Sequence, residues 1–215
     1  MMLAAIDGVF GTATPHGRAS CVDCQASMIA KCGPIVVWHW AHAAGADCEP
    51  WSEPESDWHR RWKERFYATG CQIEVPIVRG DDHHRADIVL PGGRVVELQH
   101  GYLPADAIAA REAFYGDIVW IYDASRFWDR VSFRQVRFDE PGFKWVQPAK
   151  SMLLHRRHVL WHADGQVRWV RWMRRYSSGT YGGFGTAVAE ADTPTRMIGA
   201  LHRQPPPGWA RPEAV

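Results

Sequence analysis

The chain has 215 residues, 46% of them hydrophobic and 23% charged, with a formal net charge of +1. That composition excludes a disordered or fibrous chain and leaves room for one medium domain with a small appendage. No run of about 18 apolar residues is present, and the first ten residues carry no basic start, so the sequence predicts a cytoplasmic protein with no membrane partner.

In chain order, residues 3–20 read as a short strand and a Gly/Thr-rich loop. Four of the five cysteines, Cys21, Cys24, Cys32 and Cys48, then fall within 28 residues. A cytoplasmic chain keeps thiols reduced, so such clustering points to metal rather than to disulfides. Cys21-x2-Cys24 is followed after 14 residues by His39-x2-His42. A C-x2-C turn presents two thiolates to one tetrahedral ion, and two histidines three apart complete the shell if the backbone there turns. Cys32 or Cys48 can replace one histidine. The segment between reads as a hairpin, Met28–Lys31 and Ile35–Trp40, turning at Lys31-Cys32-Gly33-Pro34. Four protein ligands imply a structural Zn2+, and a module this small needs such a staple.

A helix follows. Ser52-Glu53-Pro54-Glu55 is a capping-box sequence, Trp58, Trp62 and Phe66 recur every four residues, and Gly70 ends the pattern. Strands are predicted over Cys71–Val78, Ala86–Leu90 and Arg94–Gln99, separated by the turns Arg79-Gly80-Asp81-Asp82 and Pro91-Gly92-Gly93. Pro104 to Tyr115 reads as an Ala-rich helix closed by Gly116. Asp117–Asp123 is a near-continuous apolar run that suits a central strand buried on both faces. Short turns make the first three strands antiparallel, and the helical crossover allows the last to be parallel. Beyond residue 124, Val131–Phe138, His158–Trp161 and Val167–Trp172 alternate like an antiparallel extension. Ser177–Gly185 reads as a mobile loop and Gln204–Val215 as a disordered end.

Charge is unevenly distributed: residues 150–215 hold ten Lys and Arg against four acids, and the remainder holds 15 against 20. A basic end beside an acidic body suits a protein that grips phosphate with one part and metal with another; a solvated basic face gives the same count. The acids with a pattern are Asp87, at a strand start, and Glu97, two residues before Gln99 on one strand face. Their carboxylates form a hard oxygen site suited to Mg2+ or Mn2+. Glu55, His59 and Lys63 lie four apart on one stripe of the preceding helix. Glu55 serves the metal or completes the capping box, and Glu74 is a further candidate.

Taken together and in order, Cys21-Val-Asp-Cys24, Lys31-Cys-Gly33, Trp38-His-Trp-Ala-His42, Glu55-Ser56-x-x-His59-x-x-x-Lys63, Arg85-Ala-Asp87, Val96-Glu97-Leu-Gln99 and Arg111-x-x-x-Tyr115 resemble the competence protein CoiA-like nuclease family, over about residues 18–123. The resemblance implies an α/β, restriction-endonuclease-like PD-(D/E)xK core of order α-β-β-β-α-β. It would span residues 51–125, between a Cys/His module at 1–50 and a Trp/Arg-rich extension at 126–215. It implies that Asp87 and Glu97 are metal ligands, with Gln99 in the place of the class lysine. An amide orients water but supplies no positive charge; Lys63 or His59 would have to provide it. Arg111 and Tyr115 share a helix face and serve phosphate or anchor the helix. The expected activity is metal-dependent DNA hydrolysis, with single strands one option. His59, Lys63, Arg85, Arg111, Tyr115, Arg171, Arg174 and Arg175 are the candidate DNA contacts. A non-catalytic DNA-binding accessory factor is the competing expectation.

Overall fold

The computed structural model describes residues 1–7, 9–35, 37–43, 48, 51, 55–135, 141–177 and 179–200. The chain is mixed α/β and forms two compact units, Met1–Val89 and Leu90–Val215. Among the described residues no helix is long and apolar enough to cross a membrane.

The first unit opens with five short strands: β1 (Leu3–Ile6), β2 (Val9–Thr12), β3 (Arg18–Ser20), β4 (Ser27–Lys31) and β5 (His39–His42). They form one antiparallel sheet of order β2-β1-β3-β4-β5. The expected hairpin is β4–β5, with Lys31 opposite His39 and Ala30 opposite Trp40. Its core is small: Ala4, Ala13, Cys21, Met28, Trp40 and Cys48. Trp40 is fixed by an indole N–H donated to the Gly11 carbonyl at 2.9 Å.

Helix α1 (Asp57–Tyr67) starts later than the capping-box reading places it. Its N-cap is Ser56, in extended backbone, whose hydroxyl accepts the His59 N–H. A Ser side chain there satisfies a backbone donor that the first turn leaves open. Ser52, Glu53 and Pro54 lie outside the described residues, and Glu55 precedes the helix instead of riding on it. Gly70, at φ +85°, turns the chain out of the helix as expected. Trp58, Trp62 and Phe66 are buried, and α1 lies against the antiparallel hairpin of β6 (Gln72–Arg79) and β7 (Asp82–Val89).

The second unit contains β8 (Val95–Gln99), α2 (Ala105–Tyr115), β9 (Ile118–Asp123), β10 (Val131–Gln135), β11 (Pro141–Val146), β12 (His158–Ala163), β13 (Gln166–Ser177), β14 (Thr180–Ala189) and α3 (Thr193–Ala200), in strand order β10-β11-β14-β13-β12-β9-β8. β8 and β9 are parallel across the α2 crossover, and all six residues of β9 are buried. Both match the apolar run read from the sequence. β12, expected in an antiparallel extension, instead lies parallel to β9 while pairing antiparallel with β13. An aromatic core of Phe127, Phe143, Trp145 and Trp161 fills this region, with Phe127 and Trp145 stacked at 4.4 Å.

The loop expected at Ser177–Gly185 is mostly β14. Its glycines have a packing reason. A Cβ on Gly182 would lie 2.6 Å from the Tyr176 ring, and one on Gly185 would lie 3.1 Å from the Trp169 carbonyl. Glycine signals a turn when read alone, but here it admits close neighbours within a sheet. The disordered end expected at Gln204–Val215, like residues 136–138 of the Val131–Phe138 strand, lies outside the described residues.

Candidate functional site

The Cys/His module gathers Cys21, Cys24, His42 and Cys48, whose ligand atoms all lie within 4.8 Å of one another. Cys21 and Cys48 sulfurs are 3.6 Å apart, and Cys24 Sγ lies 3.3 Å from His42 Nε2. A tetrahedral zinc with Zn–S bonds of ~2.3 Å sets sulfurs ~3.8 Å apart, so this group could bind a metal such as zinc. Burial and the neighbouring thiols push the Cys48 thiol up. A cation reverses that crowding by favouring thiolates.

His39 is not in the group, which corrects the sequence reading; Cys48, one of the two spare candidates with Cys32, takes its place. The reason is the strand. Residues three apart on an extended strand face opposite sides. His39 and His42 bracket β5, and the His39 ring Nδ1 sits 2.7 Å from the Val37 carbonyl. Arg85 braces the module from β7. Its guanidinium pairs with Asp23, inside the Cys21–Cys24 turn, and reaches Cys21 Sγ at 3.6 Å.

A second cluster in the same unit is acidic. The pairs Ile73–Ile88 and Val75–Ala86 bracket Glu74 and Asp87, so these two acids stand opposite each other. Like charges directly across a strand pair repel. Lys63 of α1 resolves this: its Nζ lies 3.0 Å from Glu55 Oε2, 3.0 Å from Glu74 Oε1 and 3.2 Å from Asp87 Oδ1. Glu74 adopts φ +52° to make this contact, a left-handed backbone that a non-glycine residue holds only when its surroundings fix it. Its oxygens also accept the Met2 and Leu3 N–H groups at 2.7 and 2.6 Å. Burial pushes the Glu74 carboxyl up, but Lys63 and these donors outweigh it and hold the group below the usual carboxylate range. Burial alone would lower Lys63; the three carboxylates hold its ammonium well above the ordinary lysine value. Lys63 is therefore a fixed positive charge rather than a proton acceptor.

The donor set is not saturated among the described residues. Glu55 Oε1 is buried with no hydrogen-bond partner among the described residues. Asp87 is the most open of the three acids, its side chain 22% exposed against 4% for Glu55 and Glu74. Three carboxylates face the Lys63 ammonium, and the Met1 ammonium and the Arg85 guanidinium also act on Glu74.

In the second unit Glu97 and Gln99 are both buried and both meet Arg111 of α2, at 3.3 and 3.4 Å from its Nη1. At the carboxyl ends of β8 and β9, His100 Nδ1 lies 2.8 Å from Asp123 Oδ2. The sequence reading did not single out this pair. It also missed Glu112, which accepts the Trp120 indole and the Arg156 N–H beside the buried His155. Neither follows from spacing, since each joins residues from different elements.

The candidate DNA contacts divide sharply. His59, Lys63, Arg111 and Tyr115 are buried and the Arg85 side chain is nearly so. These five are not surface phosphate contacts: the Lys63, Arg85 and Arg111 cations are already paired with acids, and the His59 and Tyr115 rings are buried. Arg171 is half-buried, and Arg174 and Arg175 are exposed.

Compared with family models, curated proteins and solved structures, the chain matches none. The site therefore rests on its own geometry.

Proposed function

We propose that the chain is a divalent-metal-dependent nuclease hydrolysing DNA phosphodiester bonds, on a restriction-endonuclease-like core fronted by a structural zinc module. The observation that carries this is the convergence of Glu55, Glu74 and Asp87 on Lys63, with Glu55 Oε1 lacking a partner among the described residues. Glu55, with Oε1 unpartnered among the described residues, and Asp87, the most open of the three acids, would hold the metal; Glu74, saturated by Lys63 and two backbone N–H groups, holds the lysine in place. In the second unit the assignment is Glu97, by its strand pattern with Gln99. Bound Mg2+ or Mn2+ would supply Lewis-acid polarisation of the phosphodiester and a more acidic water. Lys63, enclosed by Glu55, Glu74 and Asp87, would hold these carboxylates in place for the ion rather than meet the phosphate itself.

The test is cleavage of single- and double-stranded DNA by the full chain, with Mg2+, Mn2+ or no added divalent ion. Cleavage should require the ion and fall by orders of magnitude in Asp87→Asn and in Glu97→Gln. Retained cleavage in both variants would remove these acids from the chemistry.

A second reading, a non-catalytic DNA-binding accessory factor, is favoured by one observation: Arg111 engages both Glu97 and Gln99, an arrangement that also serves simply to fix α2 on β8. It predicts salt-sensitive DNA binding without nicking under any metal condition.

A further inference from the structure

Strands β10, β11, β13 and β14 contain Arg134, Lys144, Arg168, Arg171, Arg174 and Arg175, and their residues include no Asp or Glu. The register sorts these charges by face. Ser132, Lys144, Gly182 and Arg174 form one row across the four strands, and Arg134, Gly142 and Phe184 form the row two residues along. Residues two apart share a face, so Arg134, Lys144 and Arg174 point the same way. The intervening residues Phe143, Trp145, Met173 and Tyr181 are buried, so the face bearing the cations is the open one. At its edge Tyr176 is 56% exposed. Its ring packs over Gly182, whose missing side chain makes the space, and the Arg174 guanidinium lies 4.5 Å from the ring centroid. Arg171 continues the patch, its Nε held by Thr186 Oγ1 at 3.3 Å.

We infer that this face binds single-stranded nucleic acid, its bases stacking on Tyr176 and its phosphates lying along Arg134, Lys144 and Arg174. Cations aligned on one open face, with no acid among the residues of its four strands, attract a polyanion. A duplex satisfies them through phosphate alone, whereas an exposed ring beside the cations adds a stacking surface for an unpaired base. The inference rests on the nucleic-acid reading above and adds its substrate class. Arg168 lies outside this surface, since its guanidinium sits over Phe133 at 4.7 Å and Phe133 shares the row of the buried Phe143.

The experiment is fluorescence anisotropy of the full chain carrying Asp87→Asn, without added divalent ion, against three probes: an oligothymidylate of about sixteen nucleotides, an abasic strand of equal length, and a duplex. Oligothymidylate should bind more tightly than the duplex. Tyr176→Ala should weaken it roughly tenfold, Tyr176→Trp should not, and the abasic strand should be indifferent to both. Arg134→Ala and Lys144→Ala should each lower the slope of log affinity against log salt by about 0.7. Duplex binding as tight as single-strand binding, or a folded Tyr176→Ala variant that binds oligothymidylate unchanged, would overturn the inference. The two readings fail separately. A wild-type chain that binds through Tyr176 but cuts no DNA sinks the nuclease and leaves the face. A chain that cuts through Asp87 with no dependence on Tyr176 does the reverse.

Discussion

Lys63 is the residue on which the first unit's electrostatics turn. Removing one partner of a buried ion cluster leaves uncompensated charge and costs roughly 3–5 kcal/mol. Lys63→Met should therefore lower stability in urea denaturation by about that much, and adding Glu74→Gln to it should recover part of the loss. The pH signs differ within the cluster. Glu74, held low, contributes stability above the ordinary carboxylate range, and that contribution is lost as pH falls through its folded value; Lys63, held high, loses its contribution only in alkali. His158 acts elsewhere. Burial, then the nearby Arg94 and Arg171, push its ring down to about 4, and its Nδ1 accepts the Trp169 indole at 3.3 Å. The unfolded chain then binds the extra proton first. Stability should be fully present above about pH 6.5 and fall as pH drops toward 4, with the buried His155 contributing in the same direction. His158→Asn keeps an acceptor for the indole and should flatten part of that fall in urea midpoints measured against pH. The types of these residues were plain in the sequence. Their partners were not, because Glu55, Lys63, Glu74 and Asp87 come from a loop, a helix and two strands.

At the scale of elements, the Cys/His module and the β13–β14 pair give the sharpest tests. Metal content of the purified chain should be lost in Cys48→Ser and retained in His39→Ala and in Cys32→Ser. Loss in His39→Ala with retention in Cys48→Ser would restore the spacing-based ligand set. Spacing placed Cys21, Cys24 and His42 because a C-x2-C turn is local geometry. It misassigned His39 because a strand, unlike a helix, turns residues three apart to opposite faces. On β14, Gly182→Ala places a methyl 2.6 Å from Tyr176 Cε2 and 3.1 Å from the Phe143 carbonyl. Overpacking of this kind costs about 1–3 kcal/mol, visible as a lower midpoint in thermal unfolding.

At the scale of the whole molecule, all six residues of β9 in the second unit are buried, and β8 and β12 flank it. Amides of Val119–Tyr122 should be among the slowest to exchange, while those of the small β1–β5 sheet, with few buried apolar residues, should exchange faster once metal is removed. Equal protection in the two regions after metal removal would contradict a module that depends on its ion.

The sequence by itself determined the order helix, strands, helix, buried strand, together with the C-x2-C turn and the basic end, because each is written in local periodicity, turn residues or charge count. The tertiary structure decided which acids meet around Lys63, which cysteine completes the Cys/His group, and which arginines stay exposed. Those outcomes depend on the faces that strand register turns inward and on contacts between residues far apart in the chain. They also depend on a glycine-rich segment that reads as a loop until its neighbours, Tyr176 and Trp169, are seen packed against it.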